Sequence, residues 1–257
     1  MEPITSLQND KVKLAHNLQQ RARARRKERK IVLEGTRIIM DALKQGLRPL
    51  FVLVDTERIN ESLIAQMKAQ NLTLLQVTPE IIAHTSDTSQ PQGIVGIFPL
   101  PMPSLPARVS RVLILDNLRD PGNLGTLLRT AAAAGVSLVV LSPGCADPYN
   151  PKTLRSGMGA HFRIPIIEAS WAEIRNYCQP LSVYLASGDG ETDYDAVNWR
   201  EEWALIIGSE AHGLSKDAES LDAQRIRIPM AARTESLNAG IAAGVILFEA
   251  ARQARNA

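Results

Sequence analysis

The segment "PLPMPSLPARVS", residues 99–110, most constrains what this chain can become. Pro99 to Pro106 holds four prolines in eight positions. Each fixes φ and removes a backbone donor, so neither a helix nor a central strand can run through. The stretch reads as a semi-rigid linker, and it splits the chain into residues 1–98, a linker at 99–110 and residues 111–257. A length of 257 residues leaves room for two domains.

Both sides of the linker show the same rhythm of short apolar runs and helix-like stretches. Before it, "KIVLEG", "LFVLVD", "LTLLQV" and "GIVGIF" read as strands, with helices over 36–45 and 61–70. Thr78, Pro79 and Glu80 form a helix-start signal. After the linker come "RVLILD", a helix from about Asn123, "SLVVLS", a helix over 151–158, "FRIPII", a helix from Trp171, "LSVYLAS", "WALIIG" and "RIRIP". A last helix is expected over 236–255, with Leu237, Ile241, Val245 and Phe248 on one apolar face. Its remaining positions are rich in Ala and Gly, which permits close approach of another backbone, in this chain or in a second subunit. The alternation makes both halves α/β.

Composition narrows the class. With 45% hydrophobic and 22% charged residues, the chain has enough apolar mass for a sizeable core. Cys145 and Cys178 stand alone, as reduced thiols of a cytoplasmic protein would. No apolar run reaches membrane-spanning length, and "MEPITSLQND" lacks a signal peptide's apolar stretch. His16, His84, His161 and His212 show no ligand spacing, so no metal site is expected.

The net charge is only +2, yet "RARARRKERK" packs Arg21, Arg23, Arg25, Arg26, Lys27, Arg29 and Lys30 against one acid, Glu28. On a helix beginning near Asn9 these residues would surround it with positive charge. That pattern fits a polyanion partner or a solvated helix face.

Three polar loops follow strands in the second half. "DPGNLGTLLRTAAAAG" has no GxGxxG, "GSEAHGLS" puts Leu214 where a P-loop has lysine, and "RIRIPMAARTESLNAG" opens the last helix. Dinucleotide and ATP sites are therefore disfavoured. Taken singly, Asn123, Ser236 and Asn238 read as helix caps, Gly125 as a tight turn and Glu210 as a loop acid. Together they mark the strand ends where α/β sheets bind ligands.

The three loops, within "LDNLRDPGNLGTLLRTAAAAG", "IIGSEAHGLS" and "IRIPMAARTESLNAGIAAGVILFEA", resemble the three motifs of the SpoU (TrmH-type) RNA ribose 2′-O-methyltransferases of the SPOUT superfamily. "ITSLQNDKVK", "VLEG", "PQGIVGIF" and "RSGMGAHFRIPI" extend the similarity over nearly the whole chain. The resemblance implies a C-terminal parallel-sheet domain with a deep trefoil knot and an N-terminal ribosomal-protein-like domain that binds RNA through Arg21 to Lys30. It implies S-adenosylmethionine held by loops at Leu185, Ala186, Ser187 and Gly188, at Ile207 and Gly208, and at Ile228, Met230 and Leu237. It also implies a homodimer through the C-terminal domain. Asn123, Arg129, Glu210, Ser236 and Asn238 match the family's polar site residues. Ala239, Gly240 and Gly157 depart from common family residues without touching those five.

The implied reaction is 2′-O-methylation of a ribose, with ribosomal (23S-type) RNA expected as substrate. Transfer RNA and a non-catalytic ribosome-associated RNA binder are the alternatives, and base methylation is a third.

Overall fold

The computed structural model describes every residue except 1–2, 103, 106–107, 211, 232–236 and 257. Two compact units emerge: Met1–Met102 with Tyr149–Phe162, and Pro103–Pro148 with Arg163–Ala257.

The first unit contains α1 (Asp10–Gln20), α2 (Ala22–Glu28), β1 (Lys30–Glu34), α3 (Thr36–Lys44), β2 (Phe51–Val54), α4 (Glu61–Ala69), β3 (Leu74–Gln76), α5 (Pro79–Thr85) and β4 (Ile94–Pro99). Its sheet runs β1-β4-β2-β3, antiparallel except for the β2–β3 pair. Side chains alternate across a strand, so Ile31, Leu33, Val52 and Val54 pack with Ile39 and Ala42 of α3 and Met67 of α4. Val32, Phe51 and Leu53 face the other way, against Val12, Ala15 and Leu18 of α1 and Ile81 and Ile82 of α5.

The second unit contains β5 (Arg111–Leu115), α6 (Pro121–Ala134) and β6 (Leu138–Leu141). The chain then enters the first unit as α7 (Pro151–Gly157) and a 3₁₀ turn at Ala160–Phe162. A contiguous second domain over 111–257 leaves no place for this excursion. The physical reason is apolar: Tyr149, Leu154 and Phe162 join the α3 core cluster. β7 (Ile166–Glu168), α8 (Trp171–Cys178), β8 (Ser182–Ala186), β9 (Thr192–Asp193), β10 (Trp203–Ile207), α9 (Lys216–Glu219), β11 (Gln224–Arg227) and α10 (Ala239–Arg255) complete the second unit.

Its sheet is parallel throughout, in the order β7-β6-β5-β10-β8-β11-β9. Every residue of β10 is buried, as expected of a central parallel strand covered on both faces. Val112, Ile114, Ala204 and Ile206 pack with Ile174 and Cys178 of α8, and burial pushes the Cys178 thiol up to about 11. No helix among the described residues is long and apolar enough to cross a membrane.

Charge divides unevenly between the units. The first carries 16 Lys and Arg against 10 Asp and Glu, and the second 13 against 17.

Candidate active site

The site is assembled at strand ends of the parallel sheet. β5 delivers the chain to Asp120, whose side chain accepts from the Asn123 N–H at 2.8 Å and caps α6. Pro121 follows at the first helical position, where its missing donor costs nothing. Asn123 is therefore not the cap, which leaves its side chain available. Gly125 lies buried inside the helix rather than at a turn.

The loop after β10 is closed on itself. Ser209 N–H donates to Gly213 O at 2.9 Å and Gly213 N–H returns a bond to Ser209 O at 2.8 Å. Gly208 is required where they meet. A Cβ there would lie 2.5 Å from the Gly213 carbonyl carbon and oxygen and 2.7 Å from Leu214 N. Glu210 rides on this loop.

α10 supplies the third element. Asn238 is its N-cap, with Oδ1 accepting from Gly240 N at 3.0 Å and Ile241 N at 3.3 Å. Its Nδ2 donates to Glu210 Oε1. Asn123 Nδ2 donates to both carboxylate oxygens of Glu210 at 2.7 Å. One carboxylate thus joins two amides from two helices, at the N-terminal ends where the helix dipoles favour negative charge. Ser236 lies outside the described residues.

Two i, i+4 pairs set the seam between these helices. A Cβ on Gly240 would sit 3.6 Å from Thr126 Cγ2, and one on Gly244 would sit 3.8 Å from Thr130 Cγ2. The small residues of the last helix thus serve close packing within the chain. The face left outside is Ile241, 57% exposed, and Phe248, 49% exposed, with half-buried Val245 between them. Arg129 is exposed and has no hydrogen-bond or ion-pair partner among the described residues. Six residues of helix turn it about 120° away from Asn123 and about 9 Å along the axis. Asn123 and Arg129 thus occupy different faces of α6.

Beside Glu210 lies a cavity of about 490 Å³. Ala186, Ser187, Gly188, Ile207, Gly208, Ile228, Met230 and Leu237 all line it, together with Glu210 and Asn238. Leu185 does not: it is 2% exposed and packs into the α8 side of the sheet. The next residue along a strand faces the opposite side. Sequence reasoning missed Ala242 and Ile246, which wall the cavity from α10 one turn apart, and Arg227 at the end of β11. The small and apolar spacing of α10 was the available signal, but it served equally well for a packing face.

In the first unit the basic run breaks. Arg21 is extended (φ −130°, ψ 116°), ending α1 and starting α2. Arg25 is 3% exposed, and its Nη1 donates to Leu18 O at 2.6 Å and Gln19 O at 3.4 Å. It satisfies the orphan carbonyls at the C-terminus of α1, so its place in an RNA-binding set is corrected to a structural one. Lys30 is tied to Glu28 at 3.1 Å. Arg21, Arg23, Arg26, Lys27 and Arg29 are exposed.

Residues 110–248 match the family model described as the SpoU rRNA Methylase family, and residues 9–96 match an MRM3-like substrate binding domain. The mouse protein "rRNA methyltransferase 3, mitochondrial" is 37% identical over 90% of this chain and 69% of its own length. The Bacillus subtilis 23S rRNA (guanosine(2553)-2′-O)-methyltransferase RlmP is 32% identical over 96% of this chain and 98% of its own. The crystal structure of the AdoMet-bound rRNA methyltransferase from Sinorhizobium meliloti superposes with a TM-score of 0.85 at 32% identity, covering 98% of this chain and 97% of that one. The matched region contains Asn123, Glu210 and Asn238, and this chain belongs to the SpoU rRNA Methylase family.

Proposed function

We propose that this protein transfers a methyl group from S-adenosylmethionine to a ribose 2′-oxygen of ribosomal RNA. The observation that carries the reading is Glu210, in the cavity lining with Asn238, binding the amides of Asn123 and Asn238. The rRNA methyltransferase activities of the mouse and Bacillus subtilis relatives support the substrate class.

The cavity fits the cofactor. Its volume falls in the ~300–1,000 Å³ range of small-molecule pockets. Its walls are aliphatic, from Ile207, Ile226, Ile228, Leu237 and Ile246, and Gly208 brings main chain to its floor. Such a surface suits a flat adenine and an aliphatic chain. When bound there, S-adenosylmethionine supplies an electrophilic methyl group.

Glu210 takes the Nδ2 donors of both asparagines, so Asn123 keeps Oδ1 as an acceptor for a hydroxyl. Asn123 and Asn238 thereby orient the reacting group, with Ser236 assigned to the same task by the resemblance. Arg129 is permanently protonated, so it cannot serve as a base. Exposed on α6 beyond Asn123, it is assigned to the substrate phosphate. The excess of cations in the first unit makes that unit the RNA-binding one, through Arg21, Arg23, Arg26, Lys27 and Arg29. The stripe Ile241–Val245–Phe248 is the face of a homodimer. The strand order β5-β10-β8-β11 is compatible with the trefoil knot of the superfamily.

The test is methyl transfer from labelled S-adenosylmethionine to ribosomal RNA, followed by nuclease digestion. A nuclease-resistant 2′-O-methyl dinucleotide is expected. A labelled base, or no transfer to ribosomal RNA in either naked or particle form, overturns the reading.

A further inference from the structure

Asp116 is a carboxylate that methyl transfer by Asn123, Arg129 and Glu210 does not use. It is 1% exposed and stands directly after β5. No lysine or arginine pairs with it among the described residues, so neutral donors alone compensate its burial. A buried carboxyl group is costly unless its oxygens are hydrogen-bonded.

Its partners are the two ends of the Glu210 loop. The Asp116 N–H donates to Ile207 O at 2.9 Å, where β10 ends and the loop begins. Its Oδ2 accepts from the Ser215 N–H at 2.6 Å, where the loop ends and α9 starts. Its Oδ1 accepts from Ser142 Oγ at 3.2 Å, and that hydroxyl oxygen accepts from Asn117 N–H at 3.0 Å. One residue therefore clasps the entry and the exit of a loop that is already closed by the Ser209–Gly213 pair. These bonds hold the described ends of the loop that carries Glu210.

We infer that Asp116 is a positioning residue: its carboxylate holds the exit of residues 208–215, whose entry its main chain already ties to β10, and so sets where Glu210 meets Asn123 and Asn238. This rests on the methyl-transfer reading for its catalytic consequence, but not for its structural one.

The test compares Asp116→Ala and Asp116→Asn with the wild-type protein, by amide hydrogen exchange and by steady-state methyl transfer to ribosomal RNA. In Asp116→Ala, exchange across 209–215 rises at least ~10-fold, because local opening becomes cheaper. The same variant loses kcat by ~10-fold or more at little-changed KM for RNA, as loss of positioning without loss of binding requires. Asp116→Asn stays within ~3-fold on both readouts, since its amide carbonyl can accept from Ser215 and its NH2 can donate to Ser142 Oγ.

If Asp116→Ala does not fold, Ser215→Pro removes the same donor at a residue whose φ of −76° suits proline, and the same pattern is expected. Wild-type exchange over 209–215 with unchanged kcat overturns the inference. An Asp116→Asn loss equal to that of Asp116→Ala also overturns it, because charge rather than hydrogen bonding would then be at work. Absence of methyl transfer by the wild-type protein refutes the proposed function, while the exchange result still decides on the clasp.

Discussion

Asn123 Nδ2 donates to both oxygens of Glu210 at 2.7 Å across 87 residues of sequence, so the acid of one strand-end loop grips the first turn of α6. The same carboxylate takes Asn238 at the start of α10. Glu210 is thus the common acceptor that holds two amides in one orientation, and its substitution is the most direct probe of the site.

Glu210→Gln replaces one acceptor oxygen with an N–H that opposes the donors of Asn123 and Asn238. Loss of hydrogen bonds to a charged group is worth ~1.5–3 kcal/mol, so single-turnover methyl transfer should fall on the order of 10–100-fold. Affinity for S-adenosylmethionine, measured by calorimetry, should change far less, because Glu210 is one of many residues around the cavity.

The basic run separates into two kinds of arginine. Arg25→Ala should lower the melting temperature, because it strips the carbonyls at the end of α1 of a buried donor worth ~1–3 kcal/mol. Arg23→Ala, Arg26→Ala and Lys27→Ala together should leave the melting temperature nearly unchanged. They should weaken RNA binding and flatten its dependence on log salt by roughly 0.7–0.9 for each phosphate no longer neutralised. Filter binding at several salt concentrations alongside thermal melts checks both halves.

Two glycines should respond in opposite ways. A methyl on Gly208 meets main chain at 2.5 Å, so Gly208→Ala should disrupt the Glu210 loop and abolish cofactor binding. On Gly244 it would find only Thr130 Cγ2 at 3.8 Å, an ordinary contact. Gly244→Ala should therefore be neutral or stabilising, by up to ~1 kcal/mol from helix propensity. Denaturant unfolding with and without S-adenosylmethionine distinguishes them.

With this stripe proposed as the face of a homodimer, Phe248→Asp and Ile241→Asp should give a monomer in sedimentation velocity without unfolding it, because both side chains are about half exposed in the single chain. Persistence of a dimer in the double variant would remove this stripe as the interface.

Glu249 gives a pH signature. Arg252, at 2.7 Å from each carboxylate oxygen, and then Gln253 hold its carboxyl down to about 2 from the ordinary 4.5. A depressed folded-state value contributes stability that is present above about pH 4.5 and lost as pH falls toward about 2. Gln253 also binds the Trp199 N–H and Val197 O, so the pair braces residues 197–199. Glu249→Gln should lower the melting temperature at neutral pH, and the difference from wild type should shrink between pH 4.5 and pH 2. Because Arg252 is 57% exposed, solvent screening keeps the effect small.

Much of this was legible from local rules. The strands from "KIVLEG" to "RIRIP" follow from apolar runs bounded by polar turns, and Thr78–Pro79 opens α5 as its helix-start signal indicated, whereas the cap of α6 is Asp120 rather than Asn123. Period-2 alternation already implied that Ile31 and Val32 face opposite sides. What local rules could not decide were choices between two uses of one residue. Arg25 looked like its neighbours until the break at Arg21 turned it under α1, and Gly240 and Gly244 could have faced a partner as well as α6. The departure of residues 149–162 into the first unit left no local trace either, since Leu154 and Phe162 are ordinary core residues in any domain.

The sequence by itself determined most strands, the longer helices and the polar loops at the strand ends, because those depend on interactions between near neighbours. Only the tertiary structure decided that Asn123, Glu210 and Asn238 share one carboxylate, that Arg129 stands apart from them, and that Asp116 clasps the loop between β10 and α9. Those relationships arise from strand order, β5 beside β10 rather than next in sequence. The pairing that sets this order is long-range and has no signature in any window of the chain.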